Sequence, residues 1–379
     1  MLSSRGERMT NSVTNRQIFF ILFITITTST TNLIPHIMAL TSGRSSWIPI
    51  LFVSLIAGMG AVIVTKLNNM FLGKVFFDYS KDSVGKFFAY LAAIYFIIYY
   101  VFVGTYLKLN LGDLLMSNFF PRTPQFVFYV ASTLIFAIVS YIGITNIARM
   151  FEIYGVLFLI ITIGLCSIML IEGDKNNILP LFKMSEIKGY AESLKKLIIP
   201  FGGLSVLLVI PFTKKNKKAP KTAFLTFLFI GIFYVLVVES TIMMIGLNNT
   251  IVLDDSFVEA IKLAEAPVIE RTDILYLTFG LTSLFGGMII VFTSAVEFAC
   301  RILPKVKRHI VVIIIFIISC AVCFIYINLN IFNINELFEE ILTYLVLVSD
   351  VLIPVTVFIF AKIKNKKKNK QQKIRGTVQ

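Results

Sequence analysis

The sequence contains few of the residues from which catalytic and metal centres are built. Among its 379 residues are two histidines, four cysteines and one tryptophan, and only 15% of residues are charged. His36 and His309 lie far apart, so the sequence shows no metal-binding cluster. Cys320 and Cys323 have CxxC spacing, but they fall inside a long apolar segment, where thiols usually pack as small hydrophobic groups. We therefore expect no metal, no cofactor and no enzymatic activity.

Apolar residues are abundant instead. They make up 57% of the sequence, and the mean hydropathy is +0.86. Ten apolar segments of about 20 residues or more can each cross a ~30 Å hydrocarbon core as a helix. These segments are roughly 18–40, 47–65, 85–107, 124–142, 150–171, 192–212, 222–247, 273–300, 310–328 and 339–361. The sequence therefore predicts an all-α polytopic membrane protein with ten transmembrane helices in the lipid bilayer.

The net charge of +14 could indicate nucleic-acid binding, but the placement of the basic residues argues against it. If the amino terminus is cytoplasmic, 25 of the 35 Lys and Arg residues fall in cytoplasmic stretches. This bias follows the positive-inside rule. We therefore expect both termini in the cytoplasm and no nucleic-acid partner. The predicted division is a ten-helix domain over 1–361 and a basic cytoplasmic tail over 362–379.

Two of the ten segments contain residues that interrupt helices. In the first segment, the stretch Thr25–Asn32 holds seven small polar residues, and Pro35 follows it. In the sixth segment, Gly202 and Gly203 lie between two prolines. Proline removes an amide donor from a helix. Non-helical backbone within a membrane persists only where protein groups or water in a cavity form hydrogen bonds with it. Ordinary kinks are the alternative, because glycine and proline are common in membrane helices.

The positions of these two interrupted segments favour a specific architecture. They are the first segments of two halves of five, which would span 18–171 and 192–361. Five crossings reverse the orientation, so equivalent halves would be inverted repeats. Broken helices at matching positions of inverted repeats indicate a midplane binding site in secondary transporters. We therefore predict a leucine-transporter-like 5+5 inverted repeat with broken helices 1 and 6, although the halves share no residue-level repeat.

Open helix ends at such breaks offer amide groups to a carboxylate and carbonyl groups to an ammonium. An α-amino acid fits this pattern better than a sugar, a nucleotide or a metal. Tyr95 and Tyr99 share one face of the third segment, next to the expected site, although packing or an interfacial aromatic belt is the alternative. The predicted ligand-binding residues are Thr28, Ser29, Thr30, Thr31, Gly202, Gly203, Leu204, Tyr95 and Tyr99.

Acidic residues inside the apolar segments are few. Asp350 lies near the middle of the tenth segment, and Glu239 lies in the outer half of the seventh. An acidic group within a membrane is costly and is often functional. We expect gating or coupling roles for Asp350, Glu239 and Pro35, with a structural hydrogen bond as the alternative for Asp350.

Five short motifs along the whole chain carry a resemblance to a known family. They are Asn15-Arg-Gln17, Pro35 after the small polar run, Trp47 opening the second segment, Gly202 nine residues before Pro211-Phe212, and Ile269-Glu-Arg-Thr-Asp273 before the eighth segment. In this order they resemble the B subunit of GerA-type spore germinant receptors, within the amino acid–polyamine–organocation superfamily. Family members often have Gly-aromatic-Glu in the sixth segment, where this chain has Gly202-Gly203-Leu204. Some also have a tryptophan in the eighth segment, which this chain lacks.

The resemblance implies a nutrient sensor in the inner membrane of a bacterial endospore. It would work with a larger A subunit and a lipoprotein C subunit. It would bind a small germinant, commonly an amino acid, in the cleft between spans one and six, flanked by spans three and eight. An ion-coupled amino-acid permease with the same fold is the alternative. The absence of an evident coupling acid in spans one and six slightly favours the receptor.

Overall fold

The computed structural model describes residues 13–264, 272–329 and 334–376, without the side chains of 28–29, 272–273 and 365–376. The regular structure within these ranges is helical, and we find no β-strand in them. The α-helices are α1 (Asn15–Ser42), α2 (Trp47–Met70), α3 (Phe76–Ser83), α4 (Lys86–Asn118), α5 (Gln125–Val139), α6 (Ile144–Glu172), α7 (Tyr190–Lys196), α8 (Ala219–Ile245), α9 (Leu247–Val252), α10 (Ser256–Leu263), α11 (Thr272–Ile302), α12 (Arg308–Asn328), α13 (Ile334–Leu347) and α14 (Ile353–Gly376).

Eight helical stretches of the described chain are long and apolar enough to cross a membrane, and the two parts of α1 together would be a ninth. They correspond to every predicted segment except the sixth. Large apolar side chains cover their outer faces; Phe87, Ile153 and Ile160 are each more than half exposed. Such a surface suits lipid rather than water. The all-α membrane class is confirmed, while the ten-helix count and the inverted repeat stay predictions.

The first interrupted segment is a bent helix. Its parts Asn15–Thr27 and Thr30–Ser45 meet at an angle of 56°, and the second part includes the 3-10 turn Gly43–Ser45 that follows α1. Threonine hydroxyls on both sides of the bend donate to the carbonyl oxygen four residues earlier; these are Thr27, Thr30 and Thr31. Such bonds compete with the helical ladder and favour bending. Because the bend precedes Pro35, the small polar run marks it better than the proline does.

The sixth predicted segment contains no continuous helix. After α7, Gly203 adopts a φ of 114°, which lies in the left-handed region that favours glycine. One 3-10 turn, Leu204–Leu208, follows, and all five of its residues are buried. Buried backbone that leaves the helical pattern must find its hydrogen bonds elsewhere. The elements packed around this turn therefore decide whether the break is stable.

The bent helix α1 lies at the centre of the protein. It packs against α6, α8 and α11, while α4 packs against α11, α12 and α5. Phe23 of α1 contacts the rings of Phe158 on α6 and Phe233 on α8, with centroids 6.1 and 5.3 Å away. The 3-10 turn of the sixth segment lies against α1, α2 and α11. Both interrupted segments are thus enclosed by continuous helices.

The tenth predicted segment is also irregular. Its helices α13 and α14 are joined by a π-helical turn, Val348–Leu352, which carries Asp350. Pro354 follows the turn, and because it has no amide hydrogen it cannot donate to the carbonyl four residues earlier. Single π-turns of this kind are frequent at functional sites. The predicted basic tail begins within α14, which continues to Gly376.

Candidate functional site

A cavity of about 40 Å³ lies between the two interrupted segments and α4; we term it the apolar cavity. Thr25 and Thr30 line it from α1, Gly202 and Gly203 from the sixth segment, and Tyr99 from α4. Most of the other lining side chains are apolar and come from α4, α11 and α13. None of the described lining residues is charged. Four of the predicted ligand-binding residues therefore surround one cavity.

The two tyrosines predicted on the third segment have different surroundings. Tyr99 lines the apolar cavity and is 1% exposed. Tyr95 is partly buried, and its hydroxyl donates to the backbone carbonyl of Leu345 on α13, at 2.8 Å. Tyr95 thus connects α4 to α13 and does not line the cavity. A ligand-binding role for either tyrosine stays a prediction.

Thr31 and Leu204, two further predicted ligand residues, lie close to the breaks but outside the cavity wall. The Thr31 hydroxyl donates to the carbonyl of Thr27 at 2.6 Å, within α1. Leu204 is buried directly after Gly203. The side chains of Thr28 and Ser29 lie outside the described part of the chain. Ligand contacts by these residues stay predictions.

Asp350 accepts hydrogen bonds from the backbone amides at the break of the sixth segment. Its buried carboxylate accepts hydrogen bonds from the amides of Gly203 at 2.8 Å, Leu204 at 3.0 Å and Ser205 at 3.0 Å. The Ser349 hydroxyl donates to the same carboxylate at 3.2 Å. Hydrogen bonds to an ionised carboxylate are among the strong ones. The amides that we expected to be open for a ligand's carboxylate are therefore occupied, and a gating or coupling role for Asp350 stays a prediction.

Tyr234 of α8 is a hydrogen-bond donor to the backbone carbonyl groups at the two breaks. Its hydroxyl oxygen lies 2.9 Å from the carbonyl oxygen of Ile26 and 3.2 Å from that of Pro200. One carbonyl belongs to each interrupted segment, and the single hydroxyl proton is shared between them. Tyr234 is fully buried. This role could not be predicted from the sequence, because a lone tyrosine in an apolar helix carries no indication of its partners.

Three hydroxyls at the apolar cavity have no hydrogen-bond partner of normal geometry among the described residues. They belong to Thr25, Tyr100 and Ser205. Buried polar groups are nearly always bonded to protein or water, and leaving one unbonded costs roughly 1–3 kcal/mol. Thr25 and Tyr100 line the cavity, while Ser205 follows the lining residue Gly203 by two positions. Their oxygen atoms are almost fully enclosed by protein, so a molecule in the cavity reaches them only if neighbouring side chains move.

Glu239 and Pro35, the other two predicted gating residues, lie away from the apolar cavity. Neither carboxylate oxygen of Glu239 has a hydrogen-bond partner within the described ranges, and both are enclosed. Pro35 lies within the second part of α1, beyond the bend. Their gating or coupling roles stay predictions.

Lys108 of α4 is a buried cation that the sequence analysis missed. It is 2% exposed, and its Nζ donates to the carbonyl and the hydroxyl of Ser319 on α12, at 3.1 and 2.7 Å. The predicted third segment ended one residue before Lys108, so this lysine lay outside it. In the structure, α4 continues ten residues further, to Asn118.

Interrupted helices that meet at a cavity in the core are typical of the leucine-transporter fold, and solved structures confirm this fold. MhsT in complex with L-phenylalanine has a TM-score of 0.71 at 12% identity, covering 90% of this chain and 89% of that one. Mhp1, a nucleobase–cation symport transporter solved closed with bromovinylhydantoin bound, has a TM-score of 0.62 at 14% identity, covering 90% and 77%. A substrate-bound Na+-coupled sialic acid symporter has a TM-score of 0.59 at 14% identity, covering 89% and 78%.

Sequence comparison defines the family. The family model described as spore germination protein, or spore permease, matches residues 12–332, and the chain belongs to this family. Spore germination protein YndE of Bacillus subtilis (strain 168) is 24% identical over 260 residues, which cover 67% of this chain and 71% of that protein. The resemblance inferred from the motifs is confirmed, although Ile269-Glu-Arg-Thr-Asp273 begins outside the described residues. Because the family and the structural relatives are permeases and transporters, the chain is not an enzyme.

Proposed function

We propose that this chain is the B subunit of a nutrient germinant receptor. It binds a small germinant, with an amino acid as the first candidate, in the apolar cavity between the interrupted segments. The observation that carries this proposal is the uncharged cavity that both interrupted segments line at their breaks. Membership in the spore germination family supports the biological role.

The proposed mechanism is a population shift. A ligand that fits one arrangement of the interrupted segments better than another changes the balance between them. Asp350 connects the sixth segment to the tenth, and Tyr234 connects both breaks to α8. Movement at the cavity is therefore passed to these helices. In this proposal the A and C subunits respond to that movement in the spore inner membrane, with both termini of this chain on the core side.

An ion-coupled amino-acid permease is the second candidate. The observation that favours it is Glu239, whose enclosed carboxylate has no hydrogen-bond partner in the described part of the chain. A buried acid without partners is suited to carrying a proton between two states of a transporter. The fold supports either function, because transporters with this fold bind their substrates in the core.

Deletion of the gene separates the two candidates. Spores with and without the gene are exposed to single amino acids, and amino-acid uptake is measured in growing cells. The receptor proposal predicts selective loss of germination with one or a few amino acids. Unchanged germination together with reduced uptake would overturn it and establish the permease.

A further inference from the structure

Six exposed lysines lie at the end of the protein where α1 begins; we term this group the basic surface. One is in the last turns of α2, and the others are in the loop after the sixth segment and in the first turn of α8. They are Lys66, Lys214, Lys215, Lys217, Lys218 and Lys221. Within the described ranges we find no acidic partner for any of them.

Asn216 brings these lysines together. Its backbone amide donates to the side-chain oxygen of Asn69 on α2 at 2.8 Å, and the Asn69 side chain donates back to the Asn216 carbonyl at 2.9 Å. The side-chain oxygen of Asn216 also accepts from the amides of Lys218 and Ala219 at the start of α8, both at 3.1 Å. Lys66 precedes Asn69 by one helical turn. The loop is therefore fixed against α2, with Lys66 beside its lysines.

Two arginines at the same end of the protein show the usual arrangement of basic residues. Arg301 pairs with Asp78 at 3.2 Å, and Arg308 pairs with Glu297 at 2.7 Å. The basic surface instead collects like charges without an acid among them, and like charges repel one another. An anion placed among these lysines would remove that repulsion.

The basic surface also lies where lipid-facing helix surfaces end. Met59 precedes Lys66 by seven residues on α2, and Leu225 follows Lys221 by four residues on α8, so each pair shares one face of its helix. Met59 is 55% exposed and Leu225 is 49% exposed. Apolar stripes of this kind suit acyl chains, and lysines at the end of such stripes direct their ammonium groups to the lipid headgroups.

We propose that the basic surface binds an anionic phospholipid. The lipid phosphate lies among Lys66, Lys221 and the lysines of the loop, and the acyl chains lie along the exposed stripes of α2 and α8. A soluble anion would neutralise the same lysines, but it would make no use of the apolar stripes. The apolar stripes therefore favour a lipid.

The proposed lipid site is joined to both interrupted segments. The Asn216 side chain donates to the side-chain oxygen of Asn15, the first residue of α1, at 2.7 Å. The amide of Gly73, in the turn after α2, donates to the carbonyl of Phe212 at the end of the sixth segment, at 2.8 Å. Because a ligand stabilises the arrangement to which it binds, the lipid should stabilise the segment ends in these positions.

The test compares phosphatidylglycerol with phosphatidylcholine of identical acyl chains, added to the purified full chain in detergent. Native mass spectrometry measures the affinity of each lipid, and phosphatidylglycerol should bind at least tenfold more tightly. One basic residue near an anionic lipid surface changes affinity about fivefold. The double variant Lys66→Gln/Lys221→Gln should therefore lower the affinity for phosphatidylglycerol roughly tenfold or more and leave phosphatidylcholine unaffected.

The double variant Lys305→Gln/Lys307→Gln is the matched control. Both lysines are exposed in the loop before α12, outside the basic surface, and their removal changes the net charge equally. This variant should bind phosphatidylglycerol as the unmodified chain does. Thermal unfolding without added lipid should be the same for all three proteins, because the four replaced side chains are exposed.

Three results would overturn the proposal. An equal loss of affinity in the control variant would show general charge attraction rather than a site. Displacement of phosphatidylglycerol by an equal concentration of glycerol phosphate would show that a soluble anion is the ligand. Equal affinity for the two lipids would exclude headgroup recognition and would favour an acidic protein segment as the partner of these lysines.

Discussion

Asp350 and Glu239 are both acidic residues within apolar helical segments, yet their surroundings are opposite. The Asp350 carboxylate accepts three backbone amide hydrogen bonds, whereas both oxygens of Glu239 lack a partner among the described residues. One acid stabilises an interrupted segment, and the other imposes a cost on a continuous helix. The comparison shows that burial alone does not define what an intramembrane acid does; its hydrogen-bond partners do.

The largest effect is expected from Asp350→Ala. This change leaves three buried amides without an acceptor, and we expect it to destabilise the protein by roughly 3–5 kcal/mol. Thermal unfolding of the purified protein in detergent measures the loss. Ser349→Ala is the control, because it removes only one bond to the same carboxylate. Equal stability of Asp350→Ala and the unmodified chain would mean that the carboxylate is not needed at the break.

Tyr234→Phe should have an intermediate effect. It removes the hydroxyl shared by the carbonyls of Ile26 and Pro200, and we expect a loss of about 1–2 kcal/mol. The same unfolding measurement applies. Tyr344→Phe is the matched control, since Tyr344 is 59% exposed on α13. A loss no greater than that of the control would show that other groups satisfy these carbonyls.

The smallest effect is expected from Glu239→Leu, and it should have the opposite sign. Removal of an unpartnered buried acid should leave stability unchanged or raise it by about 1 kcal/mol. Unfolding measured beside Asp350→Ala sharpens the contrast between the two acids. A loss of stability as large as that of Asp350→Ala would contradict this expectation, because Glu239 would then have a stabilising partner.

Local patterns in the sequence predicted much of the fold. Hydropathy located the apolar helices, and Gly202 and Gly203 marked the segment that is not helical. The small polar run located the bend in α1 better than Pro35 did. These features follow from nearby residues, since helix formation and its interruption depend on local backbone groups.

The partners at the site depend instead on contacts between distant parts of the chain. Asp350 bonds to amides about 150 residues earlier, and no local pattern relates them. Tyr234 likewise bridges two other segments. Lys108 lay one residue outside the predicted third segment, although α4 continues past it. The sequence could therefore indicate where a site lies but not which groups inside it are already bonded.

The central claim is that a small ligand binds in the apolar cavity and triggers germination. Its most direct test is germination of spores that carry Val103→Phe, beside spores that carry Val130→Phe at an exposed position of α5, with equal protein abundance verified. We predict that Val103→Phe spores lose the response to the nutrient that requires this gene, while Val130→Phe spores keep it. A normal response from Val103→Phe spores would contradict the claim.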